Sequence, residues 1–304
     1  MAALSKAAEA QTVRLKEIVF ATDFSEVSAK ALPYAAAIAR GFDSMLCVVH
    51  VIPTGEYAHI PEAERTATLA AERRDAEQRV KALLAAPHFR GVRHEVRLDH
   101  GKILPVLERE AEERKADLIV VGMHGRHGLE KALLGSKAEE ILRLGRIPVL
   151  AVGPAVTVEP EAELEVKRLL CVVDFSPGAG RAQHYAEALA RRWRARLTAL
   201  YVVRDIWAEP LSTRMPGEGF LRARLIEAGR IESIDDLEPE LVVEFGPAEE
   251  RVLEVAERSG AQLMVVEAPG TEHPALTAHL PGPLAYNLCA HARCPVLGIR
   301  GEAA

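Results

Sequence analysis

The sequence predicts an α/β protein built from two tandem, doubly wound parallel-sheet domains. Along the 304 residues, apolar runs of strand length alternate with stretches of helix length, which is typical of a parallel sheet covered by helices on both faces. The chain also repeats itself, because a shift of 151 positions aligns the segment that begins at Lys16 with the segment that begins at Lys167. A repeat of this length indicates two copies of one domain, since the repeats of solenoid proteins are much shorter, at about 20–50 residues.

The repeat extends beyond its first segment and sets the domain boundaries. Asp23-Phe24-Ser25 aligns with Asp174-Phe175-Ser176, and near the end of each copy "RIPVLAVGP" matches "RCPVLGIRG". The stretch "GPAVTVEPEAELE" between the copies is acidic and contains prolines, which is typical of a linker. We therefore predict domains at residues 13–154 and 165–301.

The strands of the first copy are short apolar runs bounded by turn residues. They are predicted at Ile18–Thr22, Met45–Ile52, Val92–Leu98, Leu118–Val121 and Pro148–Val152. The alanine-rich or charged stretches between them are predicted helices, from Ser25 to about Arg40 and at Pro61–Leu84, Ile103–Arg114 and Ser136–Leu144. Ser25 and Ser28 are both candidates for the N-cap of the first helix, since a serine hydroxyl accepts from the free N–H groups of a helix start.

Composition excludes several classes of protein. Hydrophobic residues make up 49% and charged residues 27%, which suits a globular core, and the net charge of −6 comes from interspersed signs. Without a basic face, nucleic acid is not an expected partner. No apolar run approaches the roughly 18 residues of a membrane span, and the first residues carry no apolar secretory core. We expect a cytoplasmic protein.

The four cysteines do not predict a metal site. Cys47 and Cys171 lie in strand-like runs, where a buried thiol is the ordinary outcome. Cys289 and Cys294 flank His291, but a zinc site requires tighter spacing and a second pair of ligands.

One glycine-rich stretch points to a phosphate site. Gly122 ends a predicted strand, Gly125 follows it, and Gly135-Ser136 precedes a predicted helix. In a doubly wound sheet, ligands bind beyond the carboxyl ends of the strands, and the free N–H groups of a helix start favour phosphate. Arg126 and Lys137 add positive charge. Each glycine alone is equally consistent with a turn, and neither the P-loop motif nor the G-x-G-x-x-G dinucleotide motif is present.

The spacing Gly122-x2-Gly125-x9-Gly135-Ser136 resembles the nucleotide-binding signature of the universal stress protein family. The segments "ATDFSEVS", "VVHVI" and "PVLAV" resemble other landmarks of that family, and the match covers the first copy from end to end and the second copy in outline. The whole chain therefore resembles a tandem universal stress protein. The resemblance implies two Rossmann-like domains of the adenine nucleotide alpha hydrolase type.

The resemblance also implies a ligand, ATP or its relatives AMP and ADP, lying over the carboxyl ends of the strands. Asp23 matches the acidic residue near the ribose, and Val51 matches the residue whose backbone contacts adenine. Asp23 has an alternative role as a cap of the following helix, and a Mg²⁺ near it would be compatible with the family. The positions implied to bind are Ala21, Thr22, Asp23, Val51, Gly122, His124, Gly125, Arg126, Gly135, Ser136 and Lys137.

The second copy departs from this signature. Glu267 stands where the first copy has Gly122, and Gly282-Pro283 replaces Gly135-Ser136. Pro283 has neither an N–H nor a hydroxyl to offer a phosphate, and Glu267 adds a like charge beside it. We therefore predict that only the N-terminal domain binds nucleotide.

These observations favour a nucleotide-binding regulator or sensor of stress responses over a metabolic enzyme. No catalytic residue is assigned, since no Ser-His-Asp order, carboxylate pair or metal cluster emerges from the sequence. Slow ATP hydrolysis stays open. The alternative is an interaction scaffold whose glycines bind no nucleotide.

The last strand of each copy predicts how the copies meet. An uncovered edge strand invites pairing with another strand, and identical subunits of the family pair such strands across a two-fold axis. We predict that Val149–Val152 lies against Val296–Ile299 across an internal pseudo-two-fold, which makes the chain a dimer-like monomer. A homo-oligomer formed through other surfaces stays open.

Overall fold

A computed structural model describes residues 13–54, 61–123, 141, 147–158, 164–173, 179–203, 219, 223, 237–268 and 284–300 of the chain. Its strands are β1 (Glu17–Ala21), β2 (Met45–Ile52), β3 (Arg93–His100), β4 (Leu118–Gly122), β5 (Val149–Val152), β6 (Arg168–Val173), β7 (Arg196–Val203), β8 (Glu240–Phe245), β9 (Leu263–Ala268) and β10 (Val296–Arg300). The α-helices described over their length are α1 (Glu26–Phe42), α2 (Glu62–Leu84), α3 (Ile103–Arg114), α4 (Ala179–Trp193), α5 (Ala248–Ser259) and α6 (Leu284–His291).

The ten strands form one sheet in the order β3-β2-β1-β4-β5-β10-β9-β6-β7-β8. Within each copy, neighbouring strands pair in parallel. Each copy is a doubly wound sheet, in which the strand order reverses between β1 and β4 in the first copy and between β6 and β9 in the second. The predicted α/β fold, with two tandem parallel-sheet units, is confirmed.

Local sequence explains most of the element bounds. β2 and α3 have the predicted bounds, whereas β3 runs two residues further than predicted, to His100. The N-cap of α1 is Ser25, whose Oγ accepts the Ser28 N–H at 3.2 Å. α1 ends where Asp43 adopts the left-handed conformation. The predicted helix at residues 136–144 lies outside the described residues except for position 141.

Helices cover both faces of the sheet and create two core layers. On one face, Tyr34 of α1 and Ala186 of α4 pack against the strands. On the other face, Leu107 of α3, Val252 of α5 and Leu288 of α6 do so. Each layer contains residues of both copies, so the hydrophobic core continues across their junction. None of the helices in the described part of the chain has the length and apolar character of a bilayer span.

The copies meet where β5 and β10 pair in antiparallel fashion. The register is Val149 opposite Gly298, Leu150 opposite Leu297 and Ala151 opposite Val296. These are the two strands for which the sequence predicts pairing. Because the carboxyl ends of β5 and β10 point in opposite directions, the carboxyl edges of the two copies lie at opposite ends of the shared sheet.

The described part of the segment that connects the copies packs against the hydrophobic core. Val156 is fully buried, and Leu164 is partly buried in the core layer that contains Tyr34. The segment that the sequence predicts to be a linker therefore packs against the core at these residues. Val158 and Val166 contact the same hydrophobic layer.

Candidate functional site

The carboxyl ends of β1 and β4 form a crevice at the point where the strand order reverses. The two strands pair as far as Ala21 opposite Val121, and beyond that pair the chains diverge. Thr22 leads toward α1, and Gly122 leads out of β4. Ligands of doubly wound sheets bind at such a switch point.

Thr22 holds the turn between β1 and α1. Its N–H donates to Val49 O at 2.9 Å, and its Oγ1 accepts the Phe24 N–H at 3.0 Å. The same Oγ1 lies 3.0 Å from Ser28 Oγ. Since the Ser28 hydroxyl donates to Ser25 O at 3.0 Å, the Thr22 hydroxyl is the donor of that contact. The buried Thr22 side chain therefore ties the turn to the first turn of α1.

Asp23 is exposed at the mouth of the crevice. Its Oδ1 accepts the Ser25 N–H at 3.0 Å, a contact typical of an Asx turn. Ser25 is the residue that caps α1, so Asp23 supports the turn before the helix rather than capping the helix itself. The turn presents a solvent-accessible carboxylate beside the end of β1.

Phe24 and His50 form a contact that sequence analysis missed. Phe24 has φ 59°, in the left-handed region that bulky residues rarely adopt. The centroids of its ring and the His50 ring are 4.4 Å apart, with 39° between the planes. His50 Nδ1 lies 2.8 Å from Thr22 O, and because a carbonyl only accepts, Nδ1 carries the proton. Burial lowers the pKa of His50 below its ordinary 6.5.

Val51 turns its peptide groups toward the gap beside β1. β2 pairs with β1 only as far as Val49, but with β3 as far as Ile52. Val49 O accepts from the β1 side, and Ile52 O accepts the Gly101 N–H from the β3 side. Because successive residues of a strand direct their N–H and C=O groups to opposite sides, Val51 directs both groups to the side where β1 has ended.

Gly122 has a packing role that its sequence position does not show. A Cβ built on it would lie 2.5 Å from both N and Cα of Ser28, and 2.6 Å from the carbonyl carbon of Val27. The first turn of α1 therefore crosses directly over the end of β4, which only a residue without a side chain allows. Gly122 is predicted to let the backbone approach a ligand. Its missing side chain is also what allows the start of α1 to pack against β4.

The structure thus brings five of the predicted site residues to one edge of the sheet: Ala21, Thr22, Asp23, Val51 and Gly122. Six others lie outside the described residues: His124, Gly125, Arg126, Gly135, Ser136 and Lys137. His50 stands directly before Val51 in the sequence, but no sequence signal indicates its contact with Thr22 O. In the part of the chain that the structure describes, no group of three or more His, Cys, Asp or Glu side chains is placed to hold a metal.

The corresponding crevice of the second copy is built differently. β6 and β9 pair only as far as Cys171 opposite Val265, one pair fewer than β1 and β4. Glu267, which is partly buried, occupies in β9 the place that Gly122 has in β4. Residues 174–178 and 269–283 of this copy lie outside the described residues.

Both copies resemble known proteins of one kind. The model of the universal stress protein family matches residues 14–153 and 165–300. A universal stress protein of Methanocaldococcus jannaschii is 34% identical over 139 residues, which cover 45% of this chain and 81% of that protein. One of Mycolicibacterium smegmatis is 29% identical over 301 residues, which cover 93% of this chain and 96% of that protein. The crystal structure of a universal stress protein from Archaeoglobus fulgidus has the same fold, with a TM-score of 0.67 and 20% identity over 95% of this chain and 99% of that one.

Proposed function

The chain belongs to the universal stress protein family, and on that premise we propose that it is an adenine nucleotide-binding regulator or sensor of stress responses. In this proposal residues 13–154 and 165–301 are its two domains, and ATP or AMP is bound by the first domain only. The two domains pair within one chain through β5 and β10 and form a dimer-like monomer.

The observation that carries the proposal is the Val51 peptide. Its N–H and C=O face the side on which β1 has ended, where no strand of the described residues pairs with them. A purine edge carries complementary acceptors and donors, so a base placed in this gap would satisfy groups that the sheet leaves open. Asp23 at the mouth of the same gap offers a carboxylate to the ribose. The glycine-rich stretch that begins at Gly122 would then receive the phosphates, and Mg²⁺ bound to them would find an oxygen ligand in Asp23.

The asymmetry between the copies supports binding by the first domain alone. Gly122 lets α1 cross close above β4, whereas Glu267 places a carboxylate at the corresponding point of the second copy. A carboxylate beside a phosphate is repulsive, and the repulsion is strong where water is excluded. We expect one nucleotide per chain.

The test begins with the ligand that the protein carries. Purified full-length protein is denatured, and the released small molecules are identified by mass spectrometry. Protein freed of nucleotide is then titrated with ATP and with AMP by isothermal titration calorimetry. AMP, ADP or ATP in the first experiment and a stoichiometry near one in the second are expected. A stoichiometry near two would contradict the asymmetry. The absence of both nucleotide binding and a thermal shift with ATP would favour the interaction scaffold.

A matched pair of variants assigns the site to a domain. Asp23→Asn keeps an oxygen that can accept the Ser25 N–H but removes the negative charge, and Asp174→Asn makes the same change at the aligned position of the second copy. We expect Asp23→Asn to weaken ATP binding about tenfold, the size of one hydrogen bond to a charged group. Asp174→Asn should leave the affinity unchanged. The reverse result would move the site to the second domain.

A further inference from the structure

The backbone ladder between β1 and β2 stops early, although its next partner is in place. Thr22 N–H donates to Val49 O at 2.9 Å, so in a regular parallel ladder the next bond would run from Val51 N–H to Thr22 O. Among the residues that the structure describes, Thr22 O accepts from the His50 side chain instead, at 2.8 Å from Nδ1. The imidazole thus takes the acceptor that would otherwise close the ladder.

A second contact holds His50 in this place. Its ring lies against Phe24, at 4.4 Å between centroids, and Phe24 is fixed by its N–H bond to Thr22 Oγ1. The left-handed φ of 59° at Phe24 costs energy for a bulky residue, so the turn persists only because its surroundings hold it. His50 therefore contacts both the carbonyl that precedes the turn and the aromatic ring at its centre.

We propose that His50 is a positioning residue for the base: its imidazole occupies the Thr22 carbonyl and supports the Phe24 ring, so that the turn stays clear of β2 and the Val51 N–H remains open to a ring nitrogen of adenine. This inference rests on the proposed function and adds a residue to it. His50 itself need not touch the nucleotide, since it acts through the turn and through the Val51 peptide.

Neutral imidazole with its proton on Nδ1 suits this role. Burial lowers the pKa of His50, opposed by the bond to the Thr22 carbonyl and by the negative charge of Asp23. From α2, the charge of Arg79 lowers the pKa further and that of Glu72 raises it. Tyr201 occupies the aligned position of the second copy, where the side chain has no donor next to its ring attachment. The imidazole contact with the carbonyl is therefore specific to the copy that is proposed to bind nucleotide.

Two substitutions separate the two contacts. His50→Phe keeps a ring against Phe24 but removes the donor to the Thr22 carbonyl. His50→Asn places an amide N–H near the position of Nδ1 but removes the ring. Tyr201→Phe is the matched control in the second copy. Each full-length variant, freed of nucleotide, is titrated with ATP, with adenosine and with tripolyphosphate, and its melting temperature is measured.

In His50→Phe, affinity for ATP and for adenosine should fall about tenfold, the upper range for one neutral hydrogen bond, while affinity for tripolyphosphate stays unchanged. His50→Asn should recover most of the loss, and Tyr201→Phe should change nothing. Unchanged adenosine binding in His50→Phe would overturn the inference. So would an equal loss for adenosine and tripolyphosphate, which would indicate general damage to the fold. Wild-type protein that binds none of the three probes would overturn the proposed function and this inference with it.

Discussion

Leu150 and Leu297 are direct cross-strand partners at the centre of the β5–β10 pair. They are 0% and 2% exposed, and they belong to one hydrophobic layer. The repeat aligns "PVLAV" with "PVLGI", so these two leucines are also equivalent residues of the two copies. Three residue pairs centred on these leucines join the copies into one ten-stranded sheet. We predict that a pseudo-two-fold axis passes between the two leucines.

Placing charges at this pair should separate the halves. The double variant Leu150→Lys/Leu297→Lys is expected to lose more than about 4 kcal/mol of unfolding free energy. Each substitution removes a buried leucine, and the two together place like charges opposite each other. Urea denaturation measures the loss, and small-angle scattering should show a less compact particle. Phe245→Lys on the outer strand β8 is the control, because Phe245 is 37% exposed. Full stability and unchanged shape in the double variant would show that the strands do not meet in solution.

The same geometry predicts the oligomeric state. Pairing within one chain benefits from the effective concentration that the connection provides, so it should outcompete pairing between chains through these strands. We expect sedimentation equilibrium to show that self-association, if present, is unaffected by the single variant Leu297→Lys. Concentration-dependent association that this substitution abolishes would instead place β5 and β10 at an interface between chains.

Breaking the ion pair between Arg114 and the buried Glu110, near β3, should destabilise the fold. Arg114 Nε lies 3.2 Å from Glu110 Oε2, with the two side chains 12% and 8% exposed, and Arg114 also contacts Glu95 of β3. Arg114→Ala would leave the buried Glu110 carboxylate with only Arg109, whose Nη2 lies 3.7 Å from Oε1, so the loss of the closer charged hydrogen bond should cost about 2–3 kcal/mol. Arg293→Ala breaks a pair with Glu257 whose side chains are 76% and 67% exposed, and it should cost less than about 1 kcal/mol. Equal losses in chemical denaturation would contradict the burial of Glu110.

His50 should make the fold less stable in mild acid. Its folded pKa is lower than its ordinary 6.5, so between these two values the unfolded chain binds more protons than the folded chain. Stability therefore rises with pH through this window and is lost as pH falls below 6.5. His50→Phe removes the titrating group, and its urea midpoints measured from about pH 5 to about pH 8 should have a smaller slope than those of the wild type. An unchanged slope would assign the acid sensitivity to other groups.

The sequence predicted the fold well where structure is local. β2 is a continuous apolar run and α3 an amphipathic one, and both have the predicted bounds. The sequence also predicted that β5 and β10 pair, from the uncovered last strand of each copy and from the family resemblance, whereas the residue register comes from the structure. The hydrophobic pattern of the sequence did not predict contacts between residues that only the tertiary fold brings together. A single histidine in an apolar run gives no sign that its ring will reach Thr22 O, and the two valines of the acidic connection give no sign that Val156 will be fully buried.

The four cysteines should serve as probes of unfolding. Cys47, Cys171, Cys289 and Cys294 are all buried, and none of the four forms a disulfide. Burial raises the pKa of Cys47 to about 11 and that of Cys294 to about 12, so neither thiol is ionised near neutral pH. We expect an Ellman-type reagent to label no thiol in the native protein and all four in denaturant. Rapid labelling of any thiol in native protein would show local opening around it.

Gly122 decides which substitution can test the nucleotide site. Changing it to Glu would copy the residue of the second copy, but the structure shows that this cannot leave the fold intact, because even a Cβ would lie 2.5 Å from the Ser28 backbone. Gly122→Ala should therefore lower the unfolding free energy by about 1–3 kcal/mol, as overpacking does, and move the start of α1. Loss of nucleotide binding in that variant would report displaced structure around Thr22 and Asp23 rather than a lost phosphate contact.

The second copy supplies the control for this prediction. Glu267 stands at the equivalent position with a full side chain in place, so Glu267→Ala introduces no overpacking, and any loss of stability in it would come from the contacts of the Glu267 side chain. Gly153→Ala gives a second steric test, since its Cβ would overlap the carbonyl oxygen of Cys289 at the end of α6. Gly153→Ala should destabilise the chain and expose Cys289 to labelling. Melting temperatures of Gly122→Ala and Gly153→Ala equal to that of the wild type would show that α1 and α6 do not lie as close to these glycines in solution as the structure places them.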